Sequence, residues 1–402
     1  MHLYDLPLVF GLVGLALYVV LGGADFGAGF WQLTAGRGPG AERIRDHAHQ
    51  SMAAVWEANH VWLIFVLTVV WTAYPAAFGS IASTLSFALF IAAVGIIFRG
   101  ATYALRAGAS LGHEQRAIDT LFGISSVLTP FALGAAVGGI ASRRVPVGNA
   151  AGHLFSSWLN PTSIVVGLLA VASGAYLAAV YLSADARRLG DDELERRFRA
   201  RALGSGIVAG AIAVGGLIVI HHDAHPLYDG LVQGSGRPAL VASAVAGVGT
   251  LGLVWTWRFE AARYGAVVAV AAMIAGWALA QNPVFLPSLT VEQAAASHDV
   301  LVAVIVAVVA GGMILFPSLG VLFGLLLRGR LDHPSAQRRV EPTPGTPVHA
   351  RPGLMGRLAA ALLIAGIGFL NVAEPGWAHA IGAACLLGFV AAGFAAAAPL
   401  EG

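Results

Sequence analysis

The stretch Val55-Trp56-Glu57-Ala58-Asn59-His60-Val61-Trp62 runs without a break into Leu63-Ile64-Phe65-Val66-Leu67 and stays apolar to about Phe78. A carboxyl group and an imidazole thus stand at the mouth of a run long enough to enter a bilayer. Moving a carboxyl group into lipid costs about 2.5–3.5 kcal/mol even on lenient scales, so such a residue marks a candidate functional site. Glu57 and His60 are three residues apart and share one face of a helix. Side by side near a membrane, they have the chemistry to bind, relay or gate protons.

The rest of the chain fits the same setting. Of its 402 residues, 57% are hydrophobic and only 11% charged, where a soluble domain carries about 25% charged residues. Apolar runs near 20 residues recur and match the bilayer core. No stretch alternates with a period of two, so the predicted fold class is an all-α polytopic membrane protein, a nine-helix core of packed bundles plus a C-terminal two-helix extension. Candidate spans lie near 7–31, 53–78, 80–100, 117–141, 161–183, 203–222, 238–257, 264–282 and 299–327, with two shorter ones near 354–372 and 376–397. The domain reading is a nine-span region 1–331, a disordered linker 332–353 rich in Pro and a hairpin 354–402. The N-terminus lacks a basic leader, so the first run reads as a retained helix. Nothing in the composition points to nucleic acid.

The basic residues are all Arg, and they set the orientation. One side of the scheme carries Arg143, Arg144 and Arg237, and the other carries the remaining twenty. The positive-inside rule places the N-terminus outside and the Arg-rich loops and C-terminus in the cytoplasm. Asp25 near the end of span one, Glu57 and His60 at the start of span two, and Arg99 at the end of span three then converge at one depth in the cytoplasmic third. The bland readings are an interfacial Asp25–Arg99 ion pair and a Glu57 that complements a helix dipole.

The remaining candidates are weaker. The glycines of Gly22-Gly23-Ala24-Asp25-Phe26-Gly27-Ala28-Gly29 read as close helix packing. His221, His222 and His225, with Asp223, offer zinc or copper ligands, but adjacent histidines cannot share one helix face. The single Cys385 allows no internal disulfide. The chain has few histidines at a depth suited to haem ligation.

Several of these stretches, in order, resemble subunit II of the cytochrome bd family of quinol oxidases. Gly23-Ala24-Asp25-Phe26-Gly27 resembles that family's Asp-Gly-Phe-Asp-Leu-Gly, and Val55-Trp56-Glu57-Ala58-Asn59-His60-Val61-Trp62-Leu63 resembles its Val-Trp-Asp-Gly-Asn-Glu-Val-Trp-Leu. Phe98-Arg99-Gly100, Leu159-Asn160-Pro161, Leu286-Pro287-Ser288-Leu289-Thr290 and Leu326-Leu327-Arg328-Gly329 follow in the family's order. The resemblance implies a bacterial inner-membrane protein of the respiratory chain and a subunit of a quinol oxidase. The haems would lie in a partner, subunit I, which would oxidise quinol; a structural quinone or lipid is compatible with this chain. It also implies that Glu57 and Asp25 help conduct cytoplasmic protons, with His60 and Arg99 beside them and Gly23, Gly27, Trp56, Asn59 and Trp62 as motif and packing positions. Two positions depart from the pattern: Gly22 stands where the family has its first Asp, and His60 stands at an acidic or amide position. Two readings of another kind remain: a proton-coupled secondary transporter, and a helix-packing scaffold without a proton role.

Overall fold

The chain folds almost wholly into helices, and hydropathy and capping residues explain where they begin and end. The computed structural model describes residues 2–53, 56–106, 112–327, 354–372 and 376–397. After a 3-10 turn at Leu3–Asp5 come α1 (Leu6–Leu17), a wide π-turn (Tyr18–Gly22), α2 (Gly23–Leu33), α3 (Pro39–Ala53), α4 (Trp56–Ala73), α5 (Pro75–Thr84) and α6 (Ser86–Arg106). Next are α7 (Gly112–Ala141), α8 (Pro161–Arg188), α9 (Asp192–Asp223), α10 (His225–Val232), α11 (Arg237–Trp255) and α12 (Phe259–Gln281). A two-stranded antiparallel hairpin, β1 (Val284–Leu286) and β2 (Leu289–Thr290), leads into α13 (Val291–Ala294) and α14 (His298–Leu327), and α15 (Leu354–Val372) and α16 (Gly376–Ala397) follow.

Two compact units divide the chain at Met1–Gly320 and Val321–Gly402, a division that falls inside α14, ahead of the boundary expected after 331. The linker expected at 332–353 lies outside the described residues. In the second unit, α15 and α16 pack on each other.

In the first unit α8 is the central helix and packs on α2, α7, α9 and α12. Its start explains the Leu159-Asn160-Pro161 motif. Asn160 accepts the Ser163 N–H at 2.9 Å as N-cap, and Pro161 takes the first helical position, where no donor is needed. Its middle supplies Tyr176, Leu177, Ala179 and Val180 to a buried cluster with Val20 and Ala24 from the first span and Val254, Phe259 and Ala262 from α11 and α12. At one end of the bundle, Asp223 of α9 accepts from Arg144 at 2.5 Å and from the Thr162 hydroxyl at 2.6 Å, tying α9 to the start of α8.

The opposite end holds most of the Arg residues. There Asp191 caps α9 by accepting the Leu194 N–H at 3.1 Å, and Arg43 of α3 bridges to Asp191 at 2.5 Å and to Glu193. Arg188 pairs with Glu260 at 3.0 Å, and Arg263 with Asp185. Such exposed pairs are each worth little alone, but they knit α3, α8, α9 and α12 together.

The structure corrects the span boundaries in one place. The spans expected at 53–78 and 80–100 both run into α5, and α5 meets α6 at 80°. Among the described residues seven helices are long and apolar enough to cross a membrane, or eight if this bent pair counts as one span. Asn59–Ala73 and Arg357–Gly366 are shorter apolar stretches. Hydropathy marks residues 75–84 as apolar but carries no information on helix direction. Tyr74, followed by Pro75 at the first position of α5, breaks the chain between α4 and α5.

The capping contact at Asp191 makes a testable statement. The Leu194 N–H, with Arg43 adding to it, holds this carboxyl below its ordinary range. A lowered folded-state value favours the folded protein at every pH above the unfolded value of about 4, and that contribution fades as pH falls through the lowered value. Asp191→Ala therefore lowers the melting temperature at neutral pH, and the gap to wild type closes below about pH 4, as thermal scans in detergent across pH would record.

Candidate functional site

Asp25 and Arg99 form an ion pair with no solvent exposure on either side chain, 2.5 Å from guanidinium nitrogen to carboxylate oxygen. The same nitrogen donates to the Asp25 carbonyl at 2.9 Å, and the other terminal nitrogen donates to the Ser126 hydroxyl. The Ser126 hydroxyl in turn donates to the Phe122 carbonyl at 2.6 Å. The guanidinium lies 5.0 Å from the Phe26 ring centroid and 4.2 Å from that of Phe122, so its faces meet aromatic rings while its edge meets oxygen. Three elements, α2, α6 and α7, thus meet at one cation.

Local sequence makes this approach possible. A Cβ at Gly29 would collide with the Ser126 hydroxyl and stand 3.0 Å from Arg99. A Cβ at Gly27 would collide with the Gly174 carbonyl of α8. The glycines expected for close packing therefore have divided tasks: Gly27 admits α8, and Gly29 leaves room for the Arg99–Ser126 contact.

The helix that carries Asp25 is interrupted just before it. Over Tyr18–Gly22 the backbone takes the wider i→i+5 turn, a rare geometry that gathers at functional sites. An extra residue in a turn rotates everything beyond it by about 100° relative to an unbroken α-helix. Upstream of it, Gly14 packs on Phe65 of α4; downstream, Asp25 turns to Arg99 on α6. Asn59 of α4 donates its side-chain amide to the Leu21 carbonyl within this turn, at 3.3 Å. Asn59 was expected only as a motif position; it braces the turn.

His60 follows Asn59 on α4, and its ring lies 6.0 Å from Phe26 and 6.2 Å from Tyr18. The same Phe26 ring meets the Arg99 guanidinium, so His60 and the ion pair pack on one aromatic side chain. The structure therefore brings Asp25, Arg99 and His60 together. Glu57 lies in the first turn of α4, but its side chain and that of Trp56 fall outside the described ones. Trp62 packs edge-on against Phe65 at 6.4 Å, and Gly23 lies beside Leu177 and Gly174 of α8. Sequence reasoning missed Ser126, Phe122 and Tyr18, because each is an ordinary residue of an apolar helix until another helix brings a charge to it.

The histidine group at His221–His225 does not converge on a metal. His221 faces His222 at 5.0 Å, His225 at 4.9 Å and Tyr228 at 4.6 Å between ring centroids, and His225 uses Nδ1 on the His221 carbonyl at 3.0 Å. Among the described residues no three His, Cys, Asp or Glu side chains are placed to hold a metal ion.

With this geometry in place, the comparisons decide the family. The chain matches the family described as cytochrome bd terminal oxidase subunit II over residues 4–326. It belongs to that family. Its relatives include a putative cytochrome bd menaquinol oxidase subunit II of Bacillus subtilis, 21% identical over 58% of this chain and 66% of that one. A cytochrome bd-I ubiquinol oxidase subunit 2 of Escherichia coli is 27% identical over 48% of this chain and 50% of that one. The aligned parts thus span about half to two thirds of these relatives. A chain in the structure of the bd oxidase from Geobacillus thermodenitrificans superposes with a TM-score of 0.64 at 25% identity, covering 81% of this chain and 99% of that one. The C-terminal helices α15 and α16 lie beyond the family match.

Removing one partner of a buried ion pair costs about 3–5 kcal/mol, because the other charge stays buried and unpaired. Arg99→Ala and Asp25→Leu should each cost the protein about that much, whereas the double variant Asp25→Leu/Arg99→Met should recover most of the loss. Melting curves of the three purified variants check this.

Proposed function

We propose that this chain is the non-haem subunit II of a bd-type quinol:oxygen oxidoreductase in a bacterial inner membrane. It supports a haem-bearing subunit I and helps carry cytoplasmic protons toward it. The observation that carries the reading is the buried Asp25–Arg99 pair, joined to His60 through the Phe26 ring, inside a chain of this family. Fixed charge at membrane depth has a cost, and apolar residues could hold these helices together without it.

The chemistry assigns roles. Arg99 pins one oxygen of Asp25, while Oδ2 has no hydrogen-bond partner among the described residues and is open to a proton. A fixed guanidinium holds the carboxylate in one orientation. Glu57, in the first turn of α4, is the entry group, His60 the next carrier, and Asp25 the acceptor. The Arg-rich end faces the cytoplasm under the positive-inside rule, so this order runs from the cytoplasm inward. Haems and quinol belong to the partner's side of the complex, and lipid surrounds the apolar faces.

A scaffold reading has one observation in its favour: the ion pair also stitches α2, α6 and α7 together. Glu57→Gln separates the two. The proton route predicts that the variant complex assembles with full haem content but consumes oxygen at least about ten-fold more slowly. Unchanged oxygen consumption favours the scaffold.

A further inference from the structure

Tyr18 heads the wide turn before Asp25, and its ring is 5% exposed. It occupies the space that a side chain at position 22 would need, since a Cβ on Gly22 would stand 3.2 Å from the Tyr18 ring. On its other side lies the His60 ring, tilted at 6.2 Å. From His60 the contacts run on through the Phe26 ring to Arg99 and so to Asp25.

The hydroxyl is the anomaly. It is buried and has no hydrogen-bond partner among the described residues, and the same holds for Asp25 Oδ2 and Arg99 Nε. Buried polar atoms are nearly always satisfied, and each exception in a native protein needs a reason. Packing is not the reason here, because Phe would fill the same ring volume without a stranded hydroxyl. Three such atoms from one cluster form a complementary set: Arg99 Nε donates only, Asp25 Oδ2 accepts only, and the phenol does either. That is the donor and acceptor pattern that ordered water satisfies in protein interiors.

We propose that Tyr18 is a positioning residue whose buried hydroxyl holds water between His60 and the open oxygen of Asp25. The inference rests on the proton route proposed above. In the transfer it describes, a protonated His60 gives a proton to the water, the water releases another to Asp25 Oδ2, and the phenol keeps its own O–H throughout. Nothing is oxidised or reduced, and Arg99 stays charged. The absence of a side chain at Gly22 is what lets the ring lie there.

Tyr18→Phe tests this in the purified oxidase complex, with haem content as the check on assembly and Glu57→Gln measured beside it. The expected result is full haem content, with oxygen consumption slowed at least about three-fold at neutral pH. The deficit should widen toward alkaline pH, where proton supply limits turnover. Packing alone predicts no loss, so wild-type turnover and an unshifted pH profile in Tyr18→Phe, with Glu57→Gln slowed, overturn the Tyr18 role and leave the route standing. Wild-type turnover in both variants overturns the route and the Tyr18 role together. If Tyr18→Phe fails to assemble, Tyr18→Met in the same assay takes its place: its adaptable apolar side chain fills the space without a hydroxyl, so slowed turnover at full haem content supports the role, and turnover equal to wild type overturns it.

Discussion

One buried ion pair constrains the surrounding structure. Asp25 and Arg99 meet at 2.5 Å with neither side chain exposed, and neither can be left in lipid alone without a large loss of stability. Arg99 therefore needs an environment that meets its two terminal nitrogens and its faces at once. The Asp25 carboxylate and carbonyl, the Ser126 hydroxyl and the rings of Phe26 and Phe122 supply it. Those partners come from α2 and α7, so the position of α6 is fixed against both. Gly29 and Gly27 follow from the same demand, since side chains there would drive Ser126 and α8 away. The wide turn at Tyr18–Gly22, braced by Asn59, sets the facing of the segment that presents Asp25.

The pair also gives the site its chemistry. In the proposed proton route, the carboxylate with one oxygen pinned and one without a hydrogen-bond partner among the described residues is the group that exchanges protons. Around it the protein is apolar, so these charges are felt more strongly than they would be in water. Most of the other ion pairs gather at the Arg-rich end of the bundle, where Arg43, Arg188 and Arg263 pair with Asp191, Glu193, Glu260 and Asp185. Those contacts tie helices together where water can reach, and the Asp25–Arg99 pair does so where water cannot.

Much of this was legible in the sequence, for identifiable reasons. Hydropathy runs mark helices because lipid admits little else, and the alternating direction of successive spans sets Asp25, Glu57, His60 and Arg99 at one depth in the sequence reading. The 80° bend between α5 and α6 was not legible, because residues 75–84 are as apolar as the helices they join. Nor was the π-turn, because five residues of Tyr, Val, Leu and Gly carry no periodic signal that separates wide turns from α-turns. Ser126 and Tyr18 look like ordinary members of apolar helices, and their roles depend on which charge the fold brings beside them. Gly29 reads in the sequence as one more packing glycine, and its contact with the Arg99–Ser126 pair exists only once three helices are in place.

The central claim is that this ion-paired membrane chain is half of a haem enzyme. The most direct measurement is a reduced-minus-oxidised absorption spectrum of the detergent-solubilised material that purifies from native membranes with an affinity-tagged copy of this chain. The account predicts haem absorbance in stoichiometric association with a second, larger-than-single-span membrane subunit. A stable, haem-free chain that purifies alone would contradict it.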